Sequence, residues 1–559
     1  MIGSLEGDNT YKISIGKKDF RGLIVEMHLR FRLRSMVNRK TREENVQPTQ
    51  GSVGFGGVLL EPKAVGAIPS FREVYALREP HVYAAISRDP ETGSSRYHVI
   101  EPTMNDDERA ALERIKEIIL QVVDVNLNSL DSREKAEEWL RKYVDGIIRN
   151  YKVKVGLESL DKIKYYLARD LVGFGKIDPM MHDHMLEDIS CDGPRIPIYV
   201  WHRVYESLPT NVTFEDEGEL DSFIVRLAYL AGKHISIASP MLDASLKDGS
   251  RIQLTYGREV TRKGSTFTIR RFRADPLTVP DLIELGTMNP MMAAWFWMMV
   301  ERKFNILIGG GTASGKTTTL NALCAFIPAN SKIVTIEDTP ELNIPHENWI
   351  SSVARVGFGP GGVADITLYD LLKAAMRQRP DYVIVGEVRG EEAYILFQAM
   401  ATGHGGLSSI HCDSVTSAFS RLESEPMNIP RTLIPILDVV LIQSRTRLAE
   451  RVARRVTSIV EIVELDPVSK EIITNEVFRW DPKRDLFEYS GRSILLDRVM
   501  RDYGVTKEYL SDELERRALL LEWAARNRIR RVGEVGELIR YYYANPEAAM
   551  EKVKLRLKE

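Results

Sequence analysis

The stretch GGTASGKT, at Gly310–Thr317, decides the fold of the central part of this chain. The apolar run FNILI at residues 304–308 precedes it, and the helix-compatible stretch TTTLNALCAFI follows its lysine. The spacing G-x-x-x-x-G-K-[ST] is typical of a phosphate-binding loop between a strand and a helix. Its glycines let backbone N–H groups turn toward phosphate oxygens, and the helix N-terminus adds a positive dipole end. The sequence therefore predicts a nucleotide site.

ATP and Mg²⁺ are the ligands that this loop predicts. The Lys316 ammonium can reach the β- and γ-phosphate oxygens, and the Thr317 hydroxyl can ligate Mg²⁺. An ordinary glycine-rich turn is the alternative, which the flanking strand and helix disfavour. The predicted nucleotide-binding residues are Gly310, Gly311, Thr312, Ala313, Ser314, Gly315, Lys316, Thr317 and Thr318.

The composition is that of an ordinary soluble protein of several domains. The chain has 559 residues, of which 44% are hydrophobic and 28% charged, with a net charge of −3. This length predicts about three or four domains. A net charge so close to zero does not favour nucleic acid as a partner. The three cysteines form no CxxC pair, which argues against a zinc knuckle and fits a reducing cytoplasm. The longest apolar stretches are shorter than the ~20 residues of a membrane-spanning helix.

Changes in sequence character predict the domain boundaries. The first part is irregular, with six Arg or Lys residues between positions 28 and 42, followed by a glycine-rich stretch. We expect a flexible, solvated segment there, and the sharper hypothesis is peripheral contact with acidic lipid headgroups or a partner. The predicted segments are a flexible N-terminal segment (1–75), an α+β N-terminal domain (76–274), a two-proline interdomain hinge (275–280), an α/β nucleotide-binding domain (281–491) and a helical C-terminal tail (492–559).

Strand and helix patterns alternate through the nucleotide-binding domain. This alternation predicts a parallel α/β sheet with its ligand at the carboxyl ends of the strands. The predicted strands are Asn305–Ile308, Ile333–Ile336, Tyr382–Val385, Ser408–Ile410 and Val439–Ile442.

Carboxylates follow two of these strands. Glu337 and Asp338 end the apolar run IVTI, and Glu387 follows YVIVG. Such groups can hold Mg²⁺ through water or orient the water that attacks a γ-phosphate. The alternative role for Glu337 and Asp338 is to cap the turn that follows them. The predicted metal ligands are Thr317, Glu337, Asp338 and Glu387, and either glutamate could be the catalytic base.

Two histidines flank another short apolar strand. His404 and His411 stand on either side of the run GGLSSI. We interpret them as sensors of the γ-phosphate or as hydrogen-bonding links between sheet and loop, against the alternative of two structural histidines. They do not form a metal pair, because no third ligand lies at suitable spacing.

In order along the chain, these motifs resemble those of the type II/type IV secretion ATPase superfamily, the hexameric motors of secretion systems, type IV pili and archaella. The resemblance covers roughly residues 80 to 490. Its matching segments are GFGKIDPMMHDHMLEDISCDGP (173–194), GGTASGKT (310–317), IVTIEDTPEL (333–342), VIVGEVRGEEA (383–393) and TGHGGLSSIH (402–411).

The resemblance implies an α/β fold: a RecA-like P-loop ATPase core with a separate α+β N-terminal domain and a small helical tail. It implies Mg²⁺-dependent hydrolysis of ATP to ADP and phosphate, a homohexamer, and a polytopic membrane platform protein as partner. The location would be cytoplasmic, at the inner face of the cell membrane. It also implies that N-terminal-domain arginines reach the nucleotide, in cis or from a neighbouring subunit. Arg251, Arg270 and Arg271 are the candidates, with cross-strand salt bridging as the alternative.

Within the superfamily, the chain is more similar to archaeal members. It lacks the four-cysteine zinc insert of many bacterial members. The function expected is assembly or rotation of an archaellum or type IV pilus-like filament, with an archaeal type II-like secretion ATPase as the alternative. A nucleic-acid translocase on a RecA-like core is the alternative from another class, and no nucleic-acid partner is expected. A small-molecule kinase and a non-hydrolysing adaptor are further alternatives.

Overall fold

The computed structural model describes residues 71–89, 91–122, 133–272, 275–355, 365–448 and 451–556. By its contacts the chain divides into two compact units, with the boundary between Arg273 and Ala274. The basic stretch 28–42 lies outside the described residues. The boundary expected at residue 76 is wrong, because it falls inside the first strand, Phe71–Arg78.

The first unit is built on a nine-stranded sheet with helices, which confirms the α+β prediction for this part of the chain. Most neighbouring strands are antiparallel, whereas β3 and β6 run parallel. The spatial order is β1-β2-β3-β6-β5-β4-β9-β8-β7. Its elements are β1 (Phe71–Arg78), β2 (Val82–Arg88), β3 (Ser95–Ile100), α1 (Asp106–Val122), α2 (Arg133–Asn150), α3 (Leu157–Leu167), α4 (Asp178–Met181), β4 (Leu186–Cys191), β5 (Pro197–His202), β6 (Glu206–Thr213), α5 (Glu217–Leu230), β7 (Met241–Ser245), β8 (Arg251–Thr255) and β9 (Thr266–Arg270).

Local sequence signals explain where the helices of this unit begin. The Asn105 side chain accepts a hydrogen bond from the Glu108 backbone N–H, and Glu108 accepts one from the Asn105 N–H. This reciprocal capping starts α1 at Asp106. In the same way the Asp216 carboxylate accepts a hydrogen bond from the N–H of Glu219 and starts α5.

The second unit contains the phosphate-loop sequence. Its nine-stranded sheet has a parallel part, which carries the loop, and an antiparallel part. Its strand order is β12-β11-β13-β14-β10-β15-β16-β17-β18. Its elements are α6 (Val279–Glu284), α7 (Pro290–Glu301), β10 (Ile306–Gly310), α8 (Lys316–Cys324), β11 (Ile333–Glu337), β12 (Trp349–Val353), α9 (Leu368–Met376), β13 (Tyr382–Val385), α10 (Glu392–Ala401), β14 (Gly405–His411), α11 (Val415–Glu423), β15 (Val439–Leu448), β16 (Arg451–Leu465), β17 (Ile472–Asp481), β18 (Leu486–Tyr489), α12 (Ile494–Tyr503), α13 (Lys507–Arg526), α14 (Val532–Ala544) and α15 (Pro546–Arg556).

The parallel part of this sheet confirms the sequence prediction and extends it. The strands from β12 to β15 in spatial order all run parallel, including the five that the alternation predicted. The edge strand β12 was not predicted. Beyond β15 the sheet continues with three antiparallel strands, β16, β17 and β18, which were not predicted either.

The segment expected to act as a hinge is partly the start of a packed helix. Thr278 and Asp281 form a capping box in which each side chain bonds the other's backbone N–H. Val279 is fully buried in the core of the second unit. The hinge assignment for residues 278–280 is therefore corrected, because these residues are fixed by the first turn of α6.

The C-terminal helices share the core of the nucleotide-binding domain. Helix α7 is buried on all sides, and α13 packs along it. Trp297 of α7 stacks on Phe326 at an interplanar angle of 8° and donates a hydrogen bond to Tyr543 of α14. The helical prediction for this region is confirmed, but the helices form one hydrophobic cluster with the sheet rather than a small appended tail.

No helix in the described ranges is both long and apolar enough to cross a membrane.

Candidate functional site at the phosphate loop

The phosphate loop lies between the buried strand β10 and helix α8, and its last glycine, Gly315, has a left-handed backbone conformation. All residues of β10 are buried. Gly315 has a φ of +93°, and a Cβ atom there would lie 2.9 Å from Nε2 of Gln443. A Cβ on Gly310 would lie 2.6 Å from the Gln443 carbonyl oxygen, whereas one on Gly311 would meet no heavy atom within 4 Å. The loop is therefore packed against the sheet on one side and open at Gly311.

Lys316 connects this loop with a carboxylate from a neighbouring strand. Its Nζ donates a hydrogen bond to the Gly311 carbonyl oxygen at 3.3 Å. The same atom lies 3.6 Å from Oε1 of Glu387, in the turn after β13. Two of the predicted site residues, one cation and one anion, thus converge at the mouth of the loop.

His411 lies at the same edge of the sheet. In the register of β10 and β14, it is the partner of Gly310, the first glycine of the loop motif. Its side chain is exposed at this carboxyl edge. The register therefore places His411 of β14 next to the first glycine of the loop.

His404 lies at the other end of β14, and its predicted role at the γ-phosphate is wrong. It precedes Gly405, which pairs with Tyr382 at the amino end of β13. Its Nδ1 is 3.0 Å from the Ala399 carbonyl oxygen and 3.1 Å from Oγ1 of Thr402. Six residues of extended strand, roughly 20 Å, separate this end of β14 from His411. His404 instead contacts the end of α10.

Glu337 is buried beneath the edge of the sheet. Only 2% of it is exposed, and its Oε1 accepts hydrogen bonds from the N–H groups of Glu341 and Leu342 at 2.8 and 3.0 Å. Burial raises the pKa of Glu337 to about 7, the two backbone N–H groups lower it, and the nearby Glu341 charge raises it. The carboxylate organises the turn that follows β11.

The other acids at this edge are held by local partners. Asp338 is exposed and forms an ion pair with Arg389. The buried Glu392 accepts hydrogen bonds from the N–H groups of Arg389 and Gly390, both at 2.8 Å. Glu392 therefore holds the turn that leads into α10.

Oxygen donors suited to Mg²⁺ are present at the loop. Thr317 is half-buried in the first turn of α8, and Glu387 is half-buried beside Lys316. Among the described residues, no group of three or more His, Cys, Asp or Glu side chains is arranged to hold a metal ion. Mg²⁺ usually keeps several waters and takes one or two protein oxygens with the substrate phosphates. The residues therefore fit a nucleotide-dependent Mg²⁺ site better than a permanent one.

The three candidate arginines of the first unit differ in what they contact. Arg271 donates hydrogen bonds to the carbonyl oxygens of Met181, Asp183 and Leu186. This bonding contradicts a catalytic role for Arg271, because its guanidinium is consumed by the backbone of its own unit. Arg251 and Arg270 are exposed cross-strand partners on β8 and β9.

Two side chains that hold the loop were not identified from the sequence. Gln443 is almost fully buried, with 1% of the residue exposed. Its carboxamide donates a hydrogen bond to the Ser314 carbonyl oxygen at 2.8 Å and accepts one from Thr319 Oγ1 at 2.7 Å. Arg454 Nε donates to the Ala313 carbonyl oxygen at 3.0 Å. The signal available was a glutamine that ends the apolar run VVLI, followed by an arginine-rich stretch.

The motifs and their placement agree with the comparison to protein families. The family model "Type II/IV secretion system protein" matches residues 171–496, which is more than half of the chain. The chain belongs to this family. The match begins in the first unit and ends at the start of α12, so it includes the whole described site. In this type II/IV secretion system protein, the family match thus includes part of the first unit and most of the second.

Related proteins match over different lengths. The uncharacterized protein MJ0900 of Methanocaldococcus jannaschii is 37% identical over 493 residues, which cover 84% of this chain and 88% of that protein. MJ1287 of the same organism is 51% identical over 241 residues, 43% of this chain and 89% of that protein. Among solved structures, the VirB11 ATPase of the Brucella suis type IV secretion system, in complex with sulphate, is 24% identical. It covers 51% of this chain and 94% of its own, with a TM-score of 0.27.

Proposed function

We propose that this protein is a Mg²⁺-dependent ATPase that hydrolyses ATP to ADP and phosphate and works as a homohexamer. It would act in the cytoplasm at the inner face of the cell membrane, on a polytopic membrane platform protein. The work would be assembly or rotation of an archaellum or type IV pilus-like filament, with type II-like secretion as the alternative within the same class. The observation that carries the enzymatic part is the approach of Lys316 and Glu387 at the phosphate loop.

The loop supports binding of a polyphosphate. Gly311 leaves room for an anion beside the backbone, and α8 presents its N-terminal N–H groups there. The Lys316 ammonium, at 3.6 Å from the Glu387 carboxylate, would exchange this partner for the β- and γ-phosphate oxygens. That exchange would leave Glu387 beside the γ-phosphate.

Glu387 is the better candidate for orienting the attacking water. Its carboxylate is half-exposed at the mouth of the loop, where a water can reach it. The rival Glu337 is buried, and its Oε1 already accepts two backbone hydrogen bonds. We therefore infer that Glu387 accepts a hydrogen bond from the water and aligns it for attack, whereas Glu337 holds the turn after β11.

His411 and Thr317 complete the site. His411, exposed opposite Gly310, would donate a hydrogen bond to a γ-phosphate oxygen and report its presence to β14. Thr317 would hold Mg²⁺ together with Glu387, and Asp338 would reach it through water. When bound, Mg²⁺ would neutralise the charge that develops on the β,γ-phosphate oxygens. Arg251 and Arg270 remain our candidates for additional positive charge, in cis or from a neighbouring subunit.

Turnover by the purified full-length chain tests the enzymatic part. Lys316→Ala is expected to abolish ATP binding, because it removes the cation of the loop. Glu387→Gln is expected to bind ATP within threefold of wild type but to lower kcat about 100-fold or more, the usual effect of losing a group that assists proton transfer. His404→Ala, at the opposite end of β14, is the matched control. Wild-type turnover in Glu387→Gln would remove Glu387 from the mechanism.

The motor part needs separate measurements. The native mass of the nucleotide-bound protein should correspond to six copies. A membrane platform protein should be retained by the immobilised wild-type chain and should stimulate its ATPase rate. Stimulation by single- or double-stranded DNA instead would favour the nucleic-acid translocase. Binding to vesicles with anionic lipids, and its loss when residues 28–42 are deleted, tests the membrane contact proposed for this basic segment.

A further inference from the structure

The hairpin formed by the last parallel strand, β15, and the first antiparallel strand, β16, donates hydrogen bonds to the phosphate loop. We call residues 443–456 the arginine hairpin; they comprise the end of β15 and the start of β16, apart from residues 449–450, which lie outside the described ranges. Five arginines occur in this segment: Arg445, Arg447, Arg451, Arg454 and Arg455. We propose that this hairpin positions the phosphate loop for nucleotide, with Gln443 and Arg454 as the positioning residues. The inference rests on the proposed nucleotide site.

One face of the hairpin is directed at the loop. Antiparallel partners share a face of a sheet, and Arg454 is paired with Arg445 while Gln443 is paired with Val456. Since side chains alternate along a strand, Gln443, Arg445 and Arg454 lie on one face. Two members of this face donate hydrogen bonds to loop carbonyl oxygens, those of Ser314 and Ala313.

These two carbonyls belong to the part of the loop with unusual backbone geometry. Ala313 has a φ of +57° and Gly315 a φ of +93°, both in the left-handed region. A non-glycine residue is held there only when its surroundings stabilise the conformation. The donors from Gln443 and Arg454 supply that support on either side of Ser314. This support keeps the turn in the conformation that presents the N–H groups at the start of α8 to an anion.

The opposite face of the same strand is anchored in the core. Arg455 is buried and forms two hydrogen bonds with Asp485, at 2.8 and 3.1 Å. Its Nη1 also donates to the Leu285 carbonyl oxygen at 3.1 Å, just after α6. The left-handed Gly286, whose Cβ would lie 3.2 Å from Arg455 Nη2, permits this approach. The next residue, Val456, donates its N–H to the Thr287 carbonyl oxygen at 2.9 Å.

The adjacent Arg454 and Arg455 therefore connect two places in the second unit. Arg454 contacts the phosphate loop, and Arg455 contacts the carbonyl that follows α6. Because Arg455 fixes the hairpin to the core, Arg454 can hold the loop from a fixed position. This gives Arg454 a positioning role, in which it acts on the nucleotide through the backbone of Ala313.

ADP binding by the full-length chain, measured by calorimetry without added metal, tests the role of Arg454. Arg454→Ala is expected to raise the Kd for ADP about tenfold, the effect of one charge-assisted hydrogen bond. Arg447→Ala, an exposed arginine of the same hairpin, is the matched control and is expected to stay within twofold. Arg454→Lys keeps the charge without the planar guanidinium and is expected to recover less than half of the loss. Full recovery would mean that charge alone acts, which overturns the positioning role.

Amide hydrogen exchange of the nucleotide-free protein supplies a readout that requires no nucleotide. Arg454→Ala is expected to speed exchange of the amides of residues 313–316 about tenfold, and Arg447→Ala to leave it unchanged. Unchanged exchange in Arg454→Ala overturns the proposal. An inactive wild-type enzyme would refute the proposed ATPase function, yet ADP binding and exchange would still decide the role of the hairpin.

The anchor is tested by combining variants. Asp485→Asn keeps the shape of its side chain but removes the charge that faces Arg455. If the hairpin acts as one unit, Asp485→Asn with Arg454→Ala should bind ADP within twofold of Arg454→Ala alone, although Asp485→Asn alone weakens binding severalfold. If the Kd of the double variant instead rises by the product of the two single effects, the anchor and the loop contact act independently. That result would contradict the proposed connection.

Discussion

Replacing Glu337 by glutamine should stabilise this protein several times more above pH 7 than at pH 5. Oε1 of Glu337 accepts two backbone hydrogen bonds, and Oε2 is buried without a partner among the described residues. Burial therefore raises the pKa of Glu337 to about 7, with a smaller contribution from the charge of Glu341. The charged form is the unfavourable one in the folded protein.

The size of the effect follows from the difference between the folded and unfolded pKa. The unfolded carboxyl has its ordinary pKa of 4.5, against about 7 in the folded protein. Because the folded state binds this proton more tightly, its contribution to stability is complete below pH 4.5 and is lost as the pH rises through 7. The difference of about 2.5 pH units corresponds to about 3 kcal/mol. Glutamine keeps an acceptor for both N–H groups and carries no charge at any pH.

Scanning calorimetry of the nucleotide-free, full-length chain at pH 5, 6, 7 and 8 measures this prediction. In a domain of 150–250 residues, 1 kcal/mol moves Tm by roughly 2–4 °C, so the variant should gain several degrees more at pH 8 than at pH 5. Glu391→Gln, which removes an exposed carboxylate near the same edge, is the control. A Tm difference that does not change between pH 5 and 8, or a variant less stable at pH 8, would refute the reasoning.

Three further predictions concern the loop, the histidines and the first unit. Gly315→Ala should weaken ADP binding at least tenfold, because φ is +93° and the new methyl group would lie 2.9 Å from Gln443; wild-type affinity in a titration would contradict this. His411→Ala should lower the rate of phosphate release about tenfold, and His404→Ala should leave it unchanged; equal effects would argue against the placement of the two histidines. Arg271→Met should destabilise the first unit by about 3 kcal/mol, since it removes three hydrogen bonds to backbone carbonyl oxygens, and a calorimetric transition at wild-type temperature would exclude that role.

The features predicted correctly were those encoded in short stretches of sequence. The five apolar strands of the second unit and the turn between β10 and α8 each depend on neighbouring residues. Strands that are buried on both faces read as continuous apolar runs, and the turn that follows them carries the polar residues. For the same reason Glu387 and His411 were identified as candidates, because each directly follows or ends such a run.

The errors arose where the role of a residue depends on which end of an element it occupies. His404 and His411 look equivalent in sequence, yet parallel pairing of β14 with β10 puts only His411 beside the loop. Glu337 and Glu387 both end apolar strands, yet only Glu387 approaches Lys316. Arg271 follows Arg270 directly, and its bonding to three carbonyls could not be read from that position.

By itself, the sequence determined the phosphate loop, the α/β pattern around it and the family to which the chain belongs, because these depend on spacing within a few dozen residues. Only the tertiary structure decided which acid and which histidine lie at the loop and that the C-terminal helices complete the core. It also showed that Gln443 and Arg454, more than 120 residues beyond the loop, hold it in shape. Such contacts are set by the pairing of β10 with β15 and of β15 with β16, which joins segments distant in sequence.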